Sequence, residues 1–244
     1  MTLIIDKILV VIPARGGSKR IHKKNIKPIA GQPMIFWPLM ELSKFFPATN
    51  VIVSTDDSEI ASQVESKGLE IHFQRPKELS GDFTGTFEVV KHALDWYEKN
   101  AGKVNYVITV YPTAVLLSMK DIISSINALK EDSNCDSVMP VTNYPSPIQR
   151  AVYTNKDGYA KMFQPNEYLT RSQDLIEAFH DAGQFYVNTA DSIRSKKILT
   201  SSNVKLHHLK RNNVVDIDNM EDFEIAEEKL KFSKSSNNLK KWSF

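Results

Sequence analysis

Runs of apolar, mostly β-branched residues alternate along this chain with longer segments whose apolar positions recur every three or four residues. That alternation predicts an α/β fold, a mostly parallel sheet flanked by helices. Ile8-Leu9-Val10-Val11-Ile12 reads as a buried strand. A loop follows to about Gly31, then a helix opening at Pro33 that Pro38 should kink or shorten. Val51-Ile52-Val53 predicts a second strand, ending at Ser54-Thr55-Asp56-Asp57. The next helix is expected from about Ser58 to Lys67, with Gly68 as its stop. Ile71 and Phe73 suggest a short strand, and a helix over about 86–99 sets Phe87, Val90, Ala93, Leu94 and Tyr97 near one face. A strand at 104–110, a helix near 119–130 and a strand near 136–141 continue the series.

The alternation breaks at residues 143–170, where Pro145, Pro147, Asp157-Gly158 and Pro165 separate short apolar pieces. This predicts hairpins or loops projecting from the sheet, a place for a dimer contact or a lid. Phe185-Tyr186-Val187 and Val214-Val215-Asp216-Ile217 return to the core, and a last helix runs from about Met220 to Lys231. The reading is one domain over 1–232 and a tail over 233–244, polar but for Leu239 and Trp242.

The 244 residues suffice to bury a core without disulfides, and the single Cys135 points to a reducing compartment, the cytoplasm. No stretch approaches the roughly 20 apolar residues of a membrane helix. A formal net charge of +2 argues against a general nucleic-acid binder. The charge is uneven, however: residues 15–27 hold Arg15, Lys19, Arg20, Lys23, Lys24 and Lys27 and no acid. A compact anion such as a phosphate chain is the matching partner, against the plainer reading of a solvated basic loop.

Glycine is scarce, 9 residues in all, yet Gly16-Gly17 stand together directly after the first strand. A loop there lies at the usual ligand crevice of an open α/β sheet. Glycines let backbone N–H groups approach phosphate oxygens, Ser18 adds a hydroxyl, and Arg15, Lys19 and Lys24 add charge. The spacing matches neither of the two common glycine-rich phosphate loops. Further on, Asp216 and Asp218 flank Ile217, so an extended backbone puts both carboxylates on one face. Two like charges so close favour a cation between them, and hard oxygen ligands suit Mg²⁺. The alternative is an acidic cap, with Asp218 opening the final helix and Glu221 completing a capping box.

Pro13-Ala14-Arg15-Gly16-Gly17-Ser18-Lys19-Arg20 followed by Lys24-Asn25 resembles the opening motif of the sialic-acid-type cytidylyltransferases. The likeness continues through Arg75-Pro76, Asp82, Thr84-Gly85-Thr86 and the Asp216/Asp218 pair, covering about residues 8–230. It implies a Rossmann-like nucleotidyltransferase that couples CTP to an acidic nine-carbon sugar, with Mg²⁺ on Asp216 and Asp218. By that resemblance Arg15 and Lys24 are catalytic and hold the phosphates. The nucleotide would also meet Ala14, Gly16, Gly17, Ser18, Lys19, Asn25, Arg75, Asp82, Thr84 and Thr86. Tyr111, Arg171, Gln173, His180 and Asp181 would meet the sugar, and the enzyme would be a homodimer.

The run Thr170-Arg171-Ser172-Gln173-Asp174-Leu175, then His180-Asp181-Ala182-Gly183-Gln184-Phe185-Tyr186, is very similar to the branch that handles pseudaminic acid. Val187-Asn188 departs from the Trp-Gly expected there, and Val115 from a proline. N-acetylneuraminic, legionaminic or 3-deoxy-manno-octulosonic acid are the rival acceptors. A non-catalytic nucleotide sensor is the rival from another class.

Overall fold

The computed structural model describes residues 7–197 and 202–234, with no side-chain description for 233 and 234. Seven strands form the central sheet: β1 (Ile8–Pro13), β4 (Val51–Ser54), β5 (Tyr106–Val110), β6 (Ser137–Asn143), β9 (Phe179–Asp181), β10 (Phe185–Thr189) and β11 (Val204–His208). Their order is β11-β6-β10-β5-β1-β4, with β9 also paired to β6. β1 runs parallel to β4 and β5, and β11 parallel to β6, while β9 and β10 run against their neighbours. Two small antiparallel pairs stand apart: β2 (Pro28–Ile29) with β3 (Gln32–Pro33), and β7 (Val152–Thr154) with β8 (Ala160–Met162). The mostly parallel sheet expected from the alternation is present.

Alternate residues of β1 feed opposite faces, so the sheet is covered on both sides. Ile8, Val10 and Ile12 pack with α1 (Phe36–Leu42), α2 (Ser58–Glu65) and α4 (Met119–Lys130). Leu9 and Val11 pack with α3 (Thr86–Ala101) and α5 (Ala190–Arg194). A third cluster joins Ile21 of the basic loop, Trp37 of α1, Ile217, and Phe223, Ala226 and Leu230 of α6 (Met220–Lys234).

Four expectations need correction. The first helix opens at Phe36 rather than Pro33, which sits in β3. Pro38 therefore lies in the first turn of a helix of only seven residues, where its missing N–H breaks no intrahelical bond. Ile71 and Phe73 form no strand, since only the single bridge Thr55–Gln74 closes there. The segment Val214–Ile217 carries no ladder pairing; it is an extended run whose Ile217 is buried. Finally, α6 is capped by Asn219 and Asp222: Asp222 N–H donates to Asn219 Oδ1, and Asn219 and Asp218 N–H donate to Asp222 Oδ2. That reciprocal box leaves the Asp218 carboxylate out of the cap. The tail beyond Lys234, with Leu239 and Trp242, lies outside the described residues.

Candidate active site

The parallel strands β1, β4 and β5 end at one edge of the sheet, and the loops that leave them build the site. The cationic turn after β1 is braced from inside the protein. Ala14 N–H donates to Ser54 O at 2.9 Å, Gly16 N–H to Asp56 Oδ1 at 3.0 Å, and Asn25 Nδ2 to Arg15 O at 2.8 Å. Position 16 admits only glycine, because a Cβ there would stand 2.4 Å from Asp57 Oδ2. Asp57 cannot swing away without loss, since its Oδ1 caps α2 by accepting from Glu59 and Ile60 N–H. The amides of Ala14 and Gly16 are thus spent on the scaffold. Gly17 meets nothing within 4 Å of a built Cβ.

The two aspartates face this turn. Lys24 Nζ donates to Ile217 O at 2.6 Å and lies 3.7 Å from Asp218 Oδ1; Arg20 Nη2 reaches Asp218 Oδ1 at 2.8 Å. The physical cause is the third apolar cluster. Ile217 inserts beside Ile21 and Phe223, so burying one side chain pulls its two acidic neighbours to the basic loop. Such burial contributes about 1.5–3 kcal/mol. Burial pushes the Asp216 carboxyl up from the usual carboxylate range, with Asp218 adding to the effect. Burial lowers the Lys24 ammonium, and Asp218 and Asp216 oppose that shift.

A cavity of about 640 Å³ lies between the turn and Asp218; Asp216 is not among its walls, and its carboxylate lies beside Gly183. It brings together Arg15, Ser18, Lys19, Lys24, Asn25, Arg75, Asp82, Thr84, Thr86, Tyr111 and Asp218. Arg75 is buried, with Nε donating to Ser54 Oγ at 3.0 Å and Nη2 to Ser54 O at 2.5 Å. Thr86 Oγ1 and Tyr111 OH are 3.0 Å apart and also line a neighbouring cavity of about 260 Å³. That second space has Asp181, Tyr186, Asn188, Thr109 and Ser137 among its walls.

Asp181 owes its place to a bulge. The three-residue step from Val141 to Val138 on β6 is matched by a six-residue step, Asp181 to Val187. Gly183 turns the corner at φ +61°, and a Cβ there would meet the Asp216 carboxylate at 3.3 Å. Asp181 Oδ1 accepts from Gly183 N–H at 2.8 Å, and its Oδ2 accepts from Tyr186 OH.

Arg171 and Gln173 do not join these cavities within one chain. Arg171 is exposed and paired with Asp174 at 2.7 Å, and Gln173 lines a separate groove with Tyr144 and Pro147. His180 packs its ring on Tyr144, and its Nδ1 lies 2.8 Å from Asp181 O. Sequence reasoning gave no role to Asp56 or Tyr186, and named Arg20 only among the cations of the turn. Asp56 was legible only as a strand end, and its hold on Gly16 spans forty positions.

Among the described residues no group of three or more His, Cys, Asp or Glu stands ready for a metal. The pair Asp216 and Asp218 nevertheless fits Mg²⁺, which takes one or two protein carboxylates and completes its shell with phosphate oxygens and water. Burial first and the neighbouring Asp218 charge second raise the Asp216 carboxyl, and a cation between the two would relieve both.

A cationic turn facing a carboxylate pair across the carboxyl ends of parallel strands, on this sheet order, defines a nucleotidyltransferase of the α/β type. The chain belongs to the cytidylyltransferase family, whose profile matches residues 9–233. It is 35% identical over 220 residues to a pseudaminic acid cytidylyltransferase of Campylobacter jejuni, covering 90% of this chain and 94% of that one. It is 26% identical over 223 residues to an N-acylneuraminate cytidylyltransferase of Escherichia coli, covering 90% of this chain and 51% of the other. In fold it is similar to a CMP:2-keto-3-deoxy-manno-octonic acid synthetase complexed with CTP. There the TM-score is 0.69 at 15% identity, covering 94% of this chain and 99% of that one.

Proposed function

We propose that the chain couples CTP to the anomeric hydroxyl of a nonulosonic acid, pseudaminic acid, giving the CMP-sugar and pyrophosphate. The observation that supports this best is the meeting of Lys24 with Ile217 O and Asp218 at the mouth of the 640 Å³ cavity. The choice of sugar leans on the 35% identical relative.

In this reading the triphosphate lies along Arg15, Ser18, Lys19 and Lys24, and the base and ribose lie toward Arg75, Thr84 and Thr86. The acceptor sits in the neighbouring cavity, which shares Thr86 and Tyr111 with the first. Its hydroxyl oxygen attacks the α-phosphorus and gives up its proton to solvent water, and the bond from that phosphorus to the β-phosphate bridging oxygen breaks, releasing pyrophosphate. Arg15, Lys19 and Lys24 stabilise the charge that grows on pyrophosphate, an effect of about 3 kcal/mol for a well-aimed donor. Mg²⁺ held by Asp216 and Asp218 would polarise the α-phosphate and lower the pKa of a bound hydroxyl. Tyr186 OH, tied to Asp181, fixes the wall that the sugar meets.

The exposed apolar residues of 143–176 suit a second copy of the chain, so the working form is a homodimer in which Arg171, Gln173 and His180 act near a partner's site. A reduced Cys135 suits the cytoplasm. The test is pyrophosphate release from CTP and Mg²⁺ with a panel of acidic sugars. Release with pseudaminic acid above the others is expected, and release with none would defeat the proposal.

A further inference from the structure

Asp82 carries a charge that a phosphate ligand would not seek. Its Oδ1 accepts from Arg15 Nη1 at 2.9 Å, and its Oδ2 is ion-paired with Lys19. The two cations at the outer side of the turn therefore share one carboxylate, while Arg20 and Lys24 answer to Asp218 across the cleft. Hydrogen bonds from Lys19 and Arg15 hold the Asp82 carboxyl below the usual range, so it stays ionised and has no proton to offer a phosphate oxygen. The carboxylate hangs on the loop between Leu79 and α3, whose Phe83 and Thr84 line the same cavity; Phe83 is fully exposed.

We infer that Asp82 is an exchange counter-ion for Arg15 and Lys19, a positioning residue that holds both cations until the triphosphate arrives and recaptures them as pyrophosphate leaves. This rests on the reading that the turn binds a nucleoside triphosphate. Exposed ion pairs are individually weak, so a ligand with several negative charges displaces them. Asp82 is tethered to the same fold, however, so its effective concentration at the two cations stays high. While phosphates occupy the turn it remains nearby as a repelling charge. Weaker nucleotide binding is the consequence, and faster release is the return, in a class of step that limits many enzymes.

The experiment is calorimetric titration of the full chain with CTP and, separately, with inorganic pyrophosphate, both with Mg²⁺. Wild type is compared with Asp82→Asn and Asp82→Glu, and Asp82→Ala repeats the charge removal if the Asn variant folds poorly. Removing the charge is expected to tighten both ligands roughly three- to tenfold. It should also lower KM for CTP together with kcat, and Asp82→Glu should restore the wild-type values. Unchanged or weaker binding without the charge would overturn the inference, making Asp82 a bystander or a direct contact. A wild type that binds pyrophosphate but not CTP would instead defeat the cytidylyl reading, and the pyrophosphate titrations would still decide Asp82. A wild type that binds neither would defeat both.

Discussion

The cationic turn and the projecting segment solve opposite problems. From Pro13 to Lys27 most polar groups have a partner inside the chain: Gly16 on Asp56, Asn25 on Arg15, Lys23 on Glu59, Lys24 on Ile217 and Asp218. From Asn143 to Ile176 the chain leaves Tyr153, Tyr159, Phe163, Tyr168, Leu169 and Ile176 exposed, the last two by 88% and 85%. Apolar side chains exposed in such number within one segment are what a covering surface would bury. The contrast teaches where the chemistry and the recognition reside. The cationic turn, Arg75, Thr86 and Asp218 meet in one cavity within one chain, whereas Arg171 and Gln173 lie apart from it.

The largest expected effect tests the nucleotide end. Asp216→Ala or Asp218→Ala should cut pyrophosphate release by about a thousandfold or more while far-UV circular dichroism stays unchanged. Ile217→Ala should cost about 2–5 kcal/mol of stability and loosen both aspartates, seen as a lowered urea midpoint together with lost turnover. A smaller effect probes the wall between the two cavities. Tyr186→Phe leaves Asp181 Oδ2 without its donor, and KM for the acid sugar should rise about tenfold with KM for CTP unchanged. At the other region, Leu169→Asp combined with Tyr159→Asp should yield monomers by sedimentation. Those monomers should bind CTP as the wild type does and lose sugar turnover; full turnover as a monomer would erase the contrast.

The smallest effect is thermal. The Asp216 carboxyl is raised, so between the ordinary carboxylate range and its raised value the folded chain binds more protons than the unfolded one. Stability in the absence of metal therefore falls as pH rises through that window. Asp216→Asn removes the penalty, and its Tm at neutral pH should exceed that of the metal-free wild type by about 1–3 °C.

Much of this was legible in the order of residues. Short apolar, β-branched runs placed β1, β4, β5 and β6, and the Gly16-Gly17 pair among six cations marked the turn. The Asp216 and Asp218 spacing marked the facing carboxylates, although their segment carries no strand pairing. What stayed hidden depends on distance in the fold rather than pattern. Local capping rules pointed to Asp218 and Glu221, but Asn219 and Asp222 form the box, because Ile217 turns inward and Asp218 faces Arg20. β9 is three residues long and its bulge at Gly183 breaks the alternation, so neither it nor the Asp181–Tyr186 contact has a local signature. Arg171 and Gln173 came from the family resemblance, and no local pattern tells that one pairs with Asp174 and the other lines a separate groove.

Titration of CTP into the protein with and without Mg²⁺ tests the central arrangement most directly. Mg²⁺ should tighten CTP binding by at least about tenfold in the wild type, and Asp216→Ala with Asp218→Ala should lose that gain while still binding CTP through the turn. Equal affinity with and without Mg²⁺, or a full Mg²⁺ effect in the doubly substituted chain, would contradict the account.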